Sequence, residues 1–191
     1  MIEKIIQFDK NLFLFLNNKG DSFLDDFFVF ITNNKTMALF TIPVVIVLAY
    51  IYKKNKIKYV LGCVFLTFIL TDFIHYYGFK EVFQRFRPCW DPDISETCRI
   101  LVDKGGEYGF VSGHASSTVG IISMIFFSIP NLNSRIKDIL VIWAVLICYS
   151  RIYVGKHFPL DVIFGALLGF CIAFFVYKLF FPSKPINNYR K

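Results

Sequence analysis

With 191 residues, 55% of them hydrophobic and 19% aromatic against 18% charged, the chain carries more apolar surface than a soluble domain of this size can bury. Its mean hydropathy is +0.54. The formal net charge of +7 would suit a nucleic-acid partner, but lysine and arginine fall between apolar runs rather than along one stripe, as in a bilayer protein with basic flanks. Nucleic acid is therefore not an expected partner, and residues 1–191 are expected to form one domain embedded in lipid.

In chain order, residues 3–18 and 21–34 read first as helices. Asp9 and Lys10 interrupt the first and Lys19 closes it, and Asp25 and Asp26 sit in the second, which is too short to span. Both are expected to lie at the membrane interface or to enter it partway. The mixed charge of residues 1–6 is unlike a cleavable leader, so insertion falls to the internal segments. A bilayer core of about 30 Å asks for roughly 20 apolar residues per helix. Segments 37–53, 58–78, 136–153 and 160–181 meet that length. A fifth, 114–129, is shorter but uncharged after His114, and Ser116, Ser117 and Thr118 near its start suit packing against other helices. The expected fold is an all-α integral membrane bundle of five to six transmembrane helices, with interfacial helices at the N-terminus.

Basic residues set the orientation. Lys53, Lys54, Lys56 and Lys58 form one group, Arg135 and Lys137 a second, and Lys184, Arg190 and Lys191 a third. An alternating chain puts all three on one side, the cytoplasmic one, and puts loops 79–113 and 154–159 together on the other. In a bacterial cell this describes a multi-pass inner-membrane protein whose unusual polar residues face the periplasm or the cell exterior. Cys63, Cys148 and Cys171 fall inside apolar spans as core residues. Cys89 and Cys98 share the outer loop, where a disulfide and a pair of free thiols are both open readings.

On that outer side lie Lys80 with Arg87-Pro88 and nearby Arg85, then Ser112-Gly113-His114, then Ser150-Arg151 with His157 and Asp161. Singly, each has a bland explanation: a snorkelling lysine, a surface arginine, a serine N-cap, an interfacial histidine. Together, at helix ends on one face, the cations ask for an anion. Phosphate fits. Arginine offers a planar fork, lysine a point charge, and Ser112-Gly113 backbone amides at a helix start, where glycine admits close approach. Pro159 suits a first helical turn, which sets Asp161 within reach of the His157 imidazole. A carboxylate there fixes the tautomer and presents the opposite nitrogen as a nucleophile. His114 can then protonate a leaving oxygen, with Arg151, Arg87 and Lys80 on the equatorial phosphoryl oxygens.

Spaced in this order over residues 80–161, the three clusters resemble the signature of the type 2 phosphatidic acid phosphatase superfamily, which also includes vanadium haloperoxidases. The resemblance implies a helical bundle, His157 as nucleophile, Asp161 as its partner and His114 as acid. It also implies phosphate contacts from Lys80, Arg87, Ser112, Gly113 and Arg151. Val111 departs from the proline usual before the serine, which implies a softer loop. The expected activity is metal-independent hydrolysis of a membrane lipid phosphate, with no cofactor. Undecaprenyl pyrophosphate, lipid A phosphate, phosphatidylglycerol phosphate and phosphatidic acid are the substrates this implies. A soluble haloperoxidase is hard to reconcile with the apolar spans. The other class of function to exclude is a non-catalytic phospholipid-binding or transport protein with the same basic pocket.

Asp72 and His75 are expected to form a packed, hydrogen-bonded pair or to contact neighbouring helices, the functional alternative being that Asp72 positions Lys80 from behind. Tyr108-Gly109-Phe110 is a candidate entrance lining, and the acids of the outer loop read as solvated.

Overall fold

The computed structural model describes residues 1–181, all helix and connecting loop. Helices α1 (Ile2–Asn17) and α2 (Ser22–Thr32) come first, then α3 (Asn34–Lys53) and α4 (Ile57–Phe73), joined through a tight turn at Lys54–Lys56. A π-helical stretch, Ile74–Lys80, carries α4 into the single turn α5 (Glu81–Phe83), which ends at Gln84 in the left-handed conformation. After the outer loop come α6 (Gly113–Ser128), α7 (Ser134–Tyr153) and α8 (Pro159–Phe180). Asp21, Asn33 and Asn133 start α2, α3 and α7 by accepting backbone N–H groups on their side chains.

Helix α6 is the axis of the bundle, packed against α4, α7 and α8 and buried over most of its length. In lipid, water exclusion does not drive helices together, so close approach through small residues does more of the work. Gly165 and Gly169 lie one turn apart on α8, where α6 passes. A Cβ on Gly165 would lie 2.6 Å from the Ser112 carbonyl, and one on Gly169 would collide with the Ser116 carbonyl. The start of α8 is thereby pressed against the start of α6, and Ser112 N–H donates to the Asp161 carbonyl at 2.9 Å. Farther along, Val45, Val64, Ile125, Leu140 and Ile172 fill the core between the helices.

The exterior is apolar. Leu39, Ile51, Phe65, Ile142, Leu167 and Phe175 are all exposed, on four different helices. The stretch Asn34–Phe83, folded back at its turn, and α8 are long and apolar enough to cross a membrane. Helix α1 departs from a soluble amphipathic helix: it buries Asp9 and Asn17 beside Phe13 and exposes Ile2, Ile5, Phe8 and Phe15. Lys54, Lys56 and Lys58 gather with Tyr59 and Phe180 at the end of the bundle where α3 meets α4, while loops 84–112 and 154–158 meet at the other end. The third basic group, Lys184, Arg190 and Lys191, lies outside the described residues.

Candidate active site

A cavity of about 870 Å³ opens between α3, α4 and α6. Its inner part is walled by Val45, Ile46, Leu61, Val64, Phe65 and Ile121, and its outer end by His75, Lys80, Arg87, His114, Arg151 and His157, with Gly113 beside them. One chamber thus joins an apolar slot to a cluster of cations and imidazoles. Of the sequence-derived site residues, Lys80, Arg87, Gly113, His114, Arg151 and His157 line it. Ser112 and Asp161 stand directly behind, both with no exposed surface.

The loop that carries His157 is built by a reversal. Gly155 takes φ +81°, a left-handed value that suits glycine, and the Lys156 and His157 amides then bond back to the Arg151 carbonyl at 3.0 and 3.2 Å. Arg151 and His157 are thereby fixed to each other. Lys156 Nζ donates to the carbonyls of Asp103 and Lys104, tying the outer loop over the site, and burial followed by the nearby Arg87 charge brings its ammonium down to about 8.

Pro159 occupies the first turn of α8, as expected, and Asp161 Oδ2 accepts the Phe158 N–H at 2.9 Å. The same oxygen lies 3.7 Å from His157 Nδ1, inside ion-pair range but longer than a hydrogen bond. Burial, then the positive charges of Arg151, Arg87 and Lys80, push the His157 imidazole well below its usual range, so it stands neutral. Gly109 packs against this pair: a Cβ there would come within 2.9 Å of Arg87 Cγ and 3.4 Å of His157 Nδ1.

Ser112 is the N-cap residue of α6, yet its hydroxyl makes no capping bond. Five buried side-chain polar atoms among the described residues have no hydrogen-bond partner; Ser112 Oγ, Arg151 Nε and His157 Nδ1 belong to this site, and Arg99 Nη1 and Thr118 Oγ1 are the others. His114 Nε2 lies 2.9 Å from the Thr32 carbonyl; since that oxygen only accepts, the proton sits on Nε2. The Thr32 hydroxyl accepts from both Arg151 Nη1 and Ser150 Oγ.

Several of these contacts escape sequence reasoning. Thr32 belongs to no motif. Asp9 counted there only as a break in an apolar run, and Arg85 only as a neighbour of Arg87. In the structure Arg85 bridges Asp161 and Asp9 at 2.7 and 2.6 Å. The Asp72–His75 pair differs from expectation: Asp72 is mostly exposed and 3.8 Å away, while His75 Nδ1 bonds the Thr71 carbonyl at 3.1 Å. Five residues apart on an α-helix, His75 and Lys80 would point about 140° from each other. The i→i+5 geometry of the π-helical stretch puts them on one face instead, toward the cavity. Gly113 complements this, since a Cβ there would meet His75 Nε2 at 2.6 Å. Tyr108 holds Arg87 Nε through its carbonyl rather than lining the cavity, and Cys89 and Cys98 are free thiols.

A helical membrane bundle with a cationic, histidine-bearing chamber open to an apolar slot defines an enzyme of phosphorylated lipids. The chain matches the PAP2 superfamily over residues 56–185. It is 34% identical over 186 residues to lipid A 4'-phosphatase of Porphyromonas gingivalis, covering 96% of this chain and 77% of that one. It is 32% identical over 173 residues to undecaprenyl-diphosphatase of Sulfolobus acidocaldarius, covering 90% and 78%. Its fold is that of the transmembrane PAP2-type phosphatidylglycerolphosphate phosphatase from Bacillus subtilis, with a TM-score of 0.71 at 21% identity over 96% of this chain and 89% of that one. The chain belongs to the PAP2 superfamily and is a lipid phosphate hydrolase.

Proposed function

We propose that the chain, as a single membrane domain, removes phosphate from a lipid headgroup through a phosphohistidine on His157. The observation that carries this is the single chamber in which His157, His114, Arg151, Arg87 and Lys80 converge above an apolar slot. The headgroup sits among the cations, and the tail lies in the slot or the adjoining bilayer.

In the first step the lone pair of His157 Nε2 attacks phosphorus. The bond from phosphorus to the lipid oxygen breaks, and that oxygen takes a proton from the His114 imidazolium. Asp161 faces Nδ1 and stabilises the positive charge that His157 acquires. Arg151, Arg87 and Lys80, with the Ser112 hydroxyl and the amides at Gly113, hold the equatorial oxygens. In the second step water attacks phosphorus, gives its proton to His114 and releases inorganic phosphate as the P–N bond breaks. Every proton and electron pair in this scheme is handled by side chains.

The substrate class we favour is the phosphate monoester of lipid A, because a relative that matches 96% of this chain at 34% identity carries that name. A prenyl diphosphate is the second reading, supported by the Sulfolobus relative and by the extra contacts that Lys80 and His75 offer on the cavity wall. We further infer five spans, α3, α4, α6, α7 and α8, with α1 and α2 at the interface. The lysine-rich end then faces the cytoplasm and the site faces the periplasm or exterior of an inner-membrane protein.

Phosphate release by detergent-purified protein tests the proposal, with lipid A, undecaprenyl diphosphate, phosphatidylglycerol phosphate and phosphatidic acid as substrates and EDTA present. Release that survives EDTA, is fastest on lipid A and disappears in His157→Ala is the expected result. Preference for the diphosphate would favour the second reading. Binding of these lipids by the wild type without any release would identify a lipid-capture protein instead.

A further inference from the structure

Asp9 lies on α1, outside the region matched to the superfamily, and its side chain is 1% exposed. A carboxylate buried in an apolar helix is costly unless fully paired. Here both oxygens are used. Oδ2 accepts from Arg85 Nη2 at 2.6 Å, and Oδ1 accepts the Leu160 N–H at 3.0 Å, in the first turn of α8. Arg85 extends its other corner to Asp161 Oδ1 at 2.7 Å and lays its guanidinium over the Phe158 ring at 4.4 Å. Asp9 thus holds both the guanidinium that grips Asp161 and the helical turn that carries it.

We propose that Asp9 is a positioning residue of the active site, acting through Arg85 on the orientation of Asp161 and hence of His157. Asp161 has one oxygen committed to the Phe158 amide and the other to Arg85, which fixes the carboxylate plane facing His157 Nδ1. A guanidinium held by Asp161 alone could pivot about that one contact, and Arg85 is partly exposed. Two carboxylates at two corners remove that freedom. Misplacement of a reacting group by even 1 Å costs up to about a hundredfold in rate. This inference rests on the proposed roles of His157 and Asp161.

The test uses the full chain in detergent, with a lipid phosphate monoester as substrate. Asp9→Asn is expected to lower kcat about tenfold with KM within about twofold of wild type, and Asp9→Glu to restore part of the loss. Arg85→Gln is expected to lower kcat about a hundredfold, and the double variant to be no worse than Arg85→Gln alone, because Asp9 acts through Arg85. A residue that merely docked α1 would lower thermal stability and leave the kcat of folded protein intact, and that result overturns the proposal. So does full additivity in the double variant. If Asp9→Asn does not fold, Arg85→Lys serves, since it leaves the contact between Asp9 and Leu160 in place: lowered kcat at unchanged KM is expected, and wild-type kcat overturns the proposal. His157→Ala runs beside these variants. If it is inactive while Asp9→Asn is normal, only the positioning role falls; if it stays active, the reading of the site itself falls.

Discussion

The three C-terminal helices and the two N-terminal ones solve different problems. Helices α6, α7 and α8, with the loop before α8, present His114, Arg151, His157 and Asp161, and small residues let α6 and α8 approach closely enough to juxtapose them. Helices α1 and α2 present no chemistry. Their outer faces mix exposed apolar residues such as Ile5, Phe8, Phe15 and Phe23 with polar ones, and their buried polar groups Asp9, Asn17 and Thr32 point at what the bundle must hold still. Asn17 donates to the carbonyls of Arg99, Ile152 and Tyr153 and accepts the Arg99 N–H. Thr32 ties down His114 and Arg151, and Asp9 ties down Arg85 and Leu160. His157 and its proposed partner Asp161 are neighbours in sequence, whereas part of the orientation of the site is set by partners far away in it.

If the bundle alone carries the chemistry, its histidines should show the largest losses. His157→Ala is expected to lower turnover at least about a thousandfold and to abolish the acid-labile phosphoryl-enzyme in a rapid-quench trap. Turnover close to wild type would end that side of the comparison. His114→Ala should lose roughly a hundredfold or more, by the usual range for general acids, and lose less on a substrate whose leaving group needs no proton. An aryl phosphate of low leaving-group pKa, compared with the lipid substrate, measures that difference.

A smaller and more diagnostic effect concerns pH. His157 is held below the ordinary imidazole range by burial and by neighbouring cations, Arg87 among them. As the proposed nucleophile it must be neutral, so activity should fall on the acid side only below about pH 6.5, the unperturbed value. Removing a cation favours imidazolium, which raises the His157 pKa. In Arg87→Ala the acid limb of the kcat/KM profile should therefore move to higher pH, on top of a general loss from weaker phosphate binding. A limb that stays in place would mean that the titrating group is not His157. The same neutral burial makes folding less favourable as pH drops from about 6.5 toward the depressed value, because the unfolded chain then binds a proton that the folded one does not.

What could be read from the sequence divides along the same line. The motifs of residues 80–161 are local spacings, and a spacing such as His157 to Asp161 is readable because one helical turn converts it into proximity. The helices were readable too, with 114–129 expected and Gly113–Ser128 observed, since apolar length is a property of one segment. The aiming contacts join residues 76 to 151 apart, and no window of sequence contains both partners. Asp9 in an apolar run looked like an interruption, when its carboxylate is what Arg85 and the first turn of α8 are held by. The shared face of His75 and Lys80 depended on a π-helical turn, a deviation that residue periodicity does not announce.

Thr32 offers the smallest of the expected effects, one that the N-terminal helices alone should produce. Its carbonyl fixes His114 and is indifferent to the side chain, while its hydroxyl is an acceptor for Arg151. Thr32→Val keeps the shape and deletes the hydroxyl that accepts from Arg151 and Ser150, while Ser150 keeps its bond to the Ile147 carbonyl, so the change bears on the aim of Arg151 and leaves the carbonyl that holds His114 in place. A hydrogen bond to a buried charged group is worth about 1.5–3 kcal/mol, but Arg151 retains other donors and the phosphate itself would recover part of that. The expected outcome is about a tenfold loss in kcat/KM on the lipid substrate, with Thr32→Ser near wild type, because serine restores the acceptor but not the methyl group. If valine were near wild type and serine impaired, the methyl packing of α2 would be what matters, and the N-terminal helices would be buttressing the bundle rather than aiming its arginine.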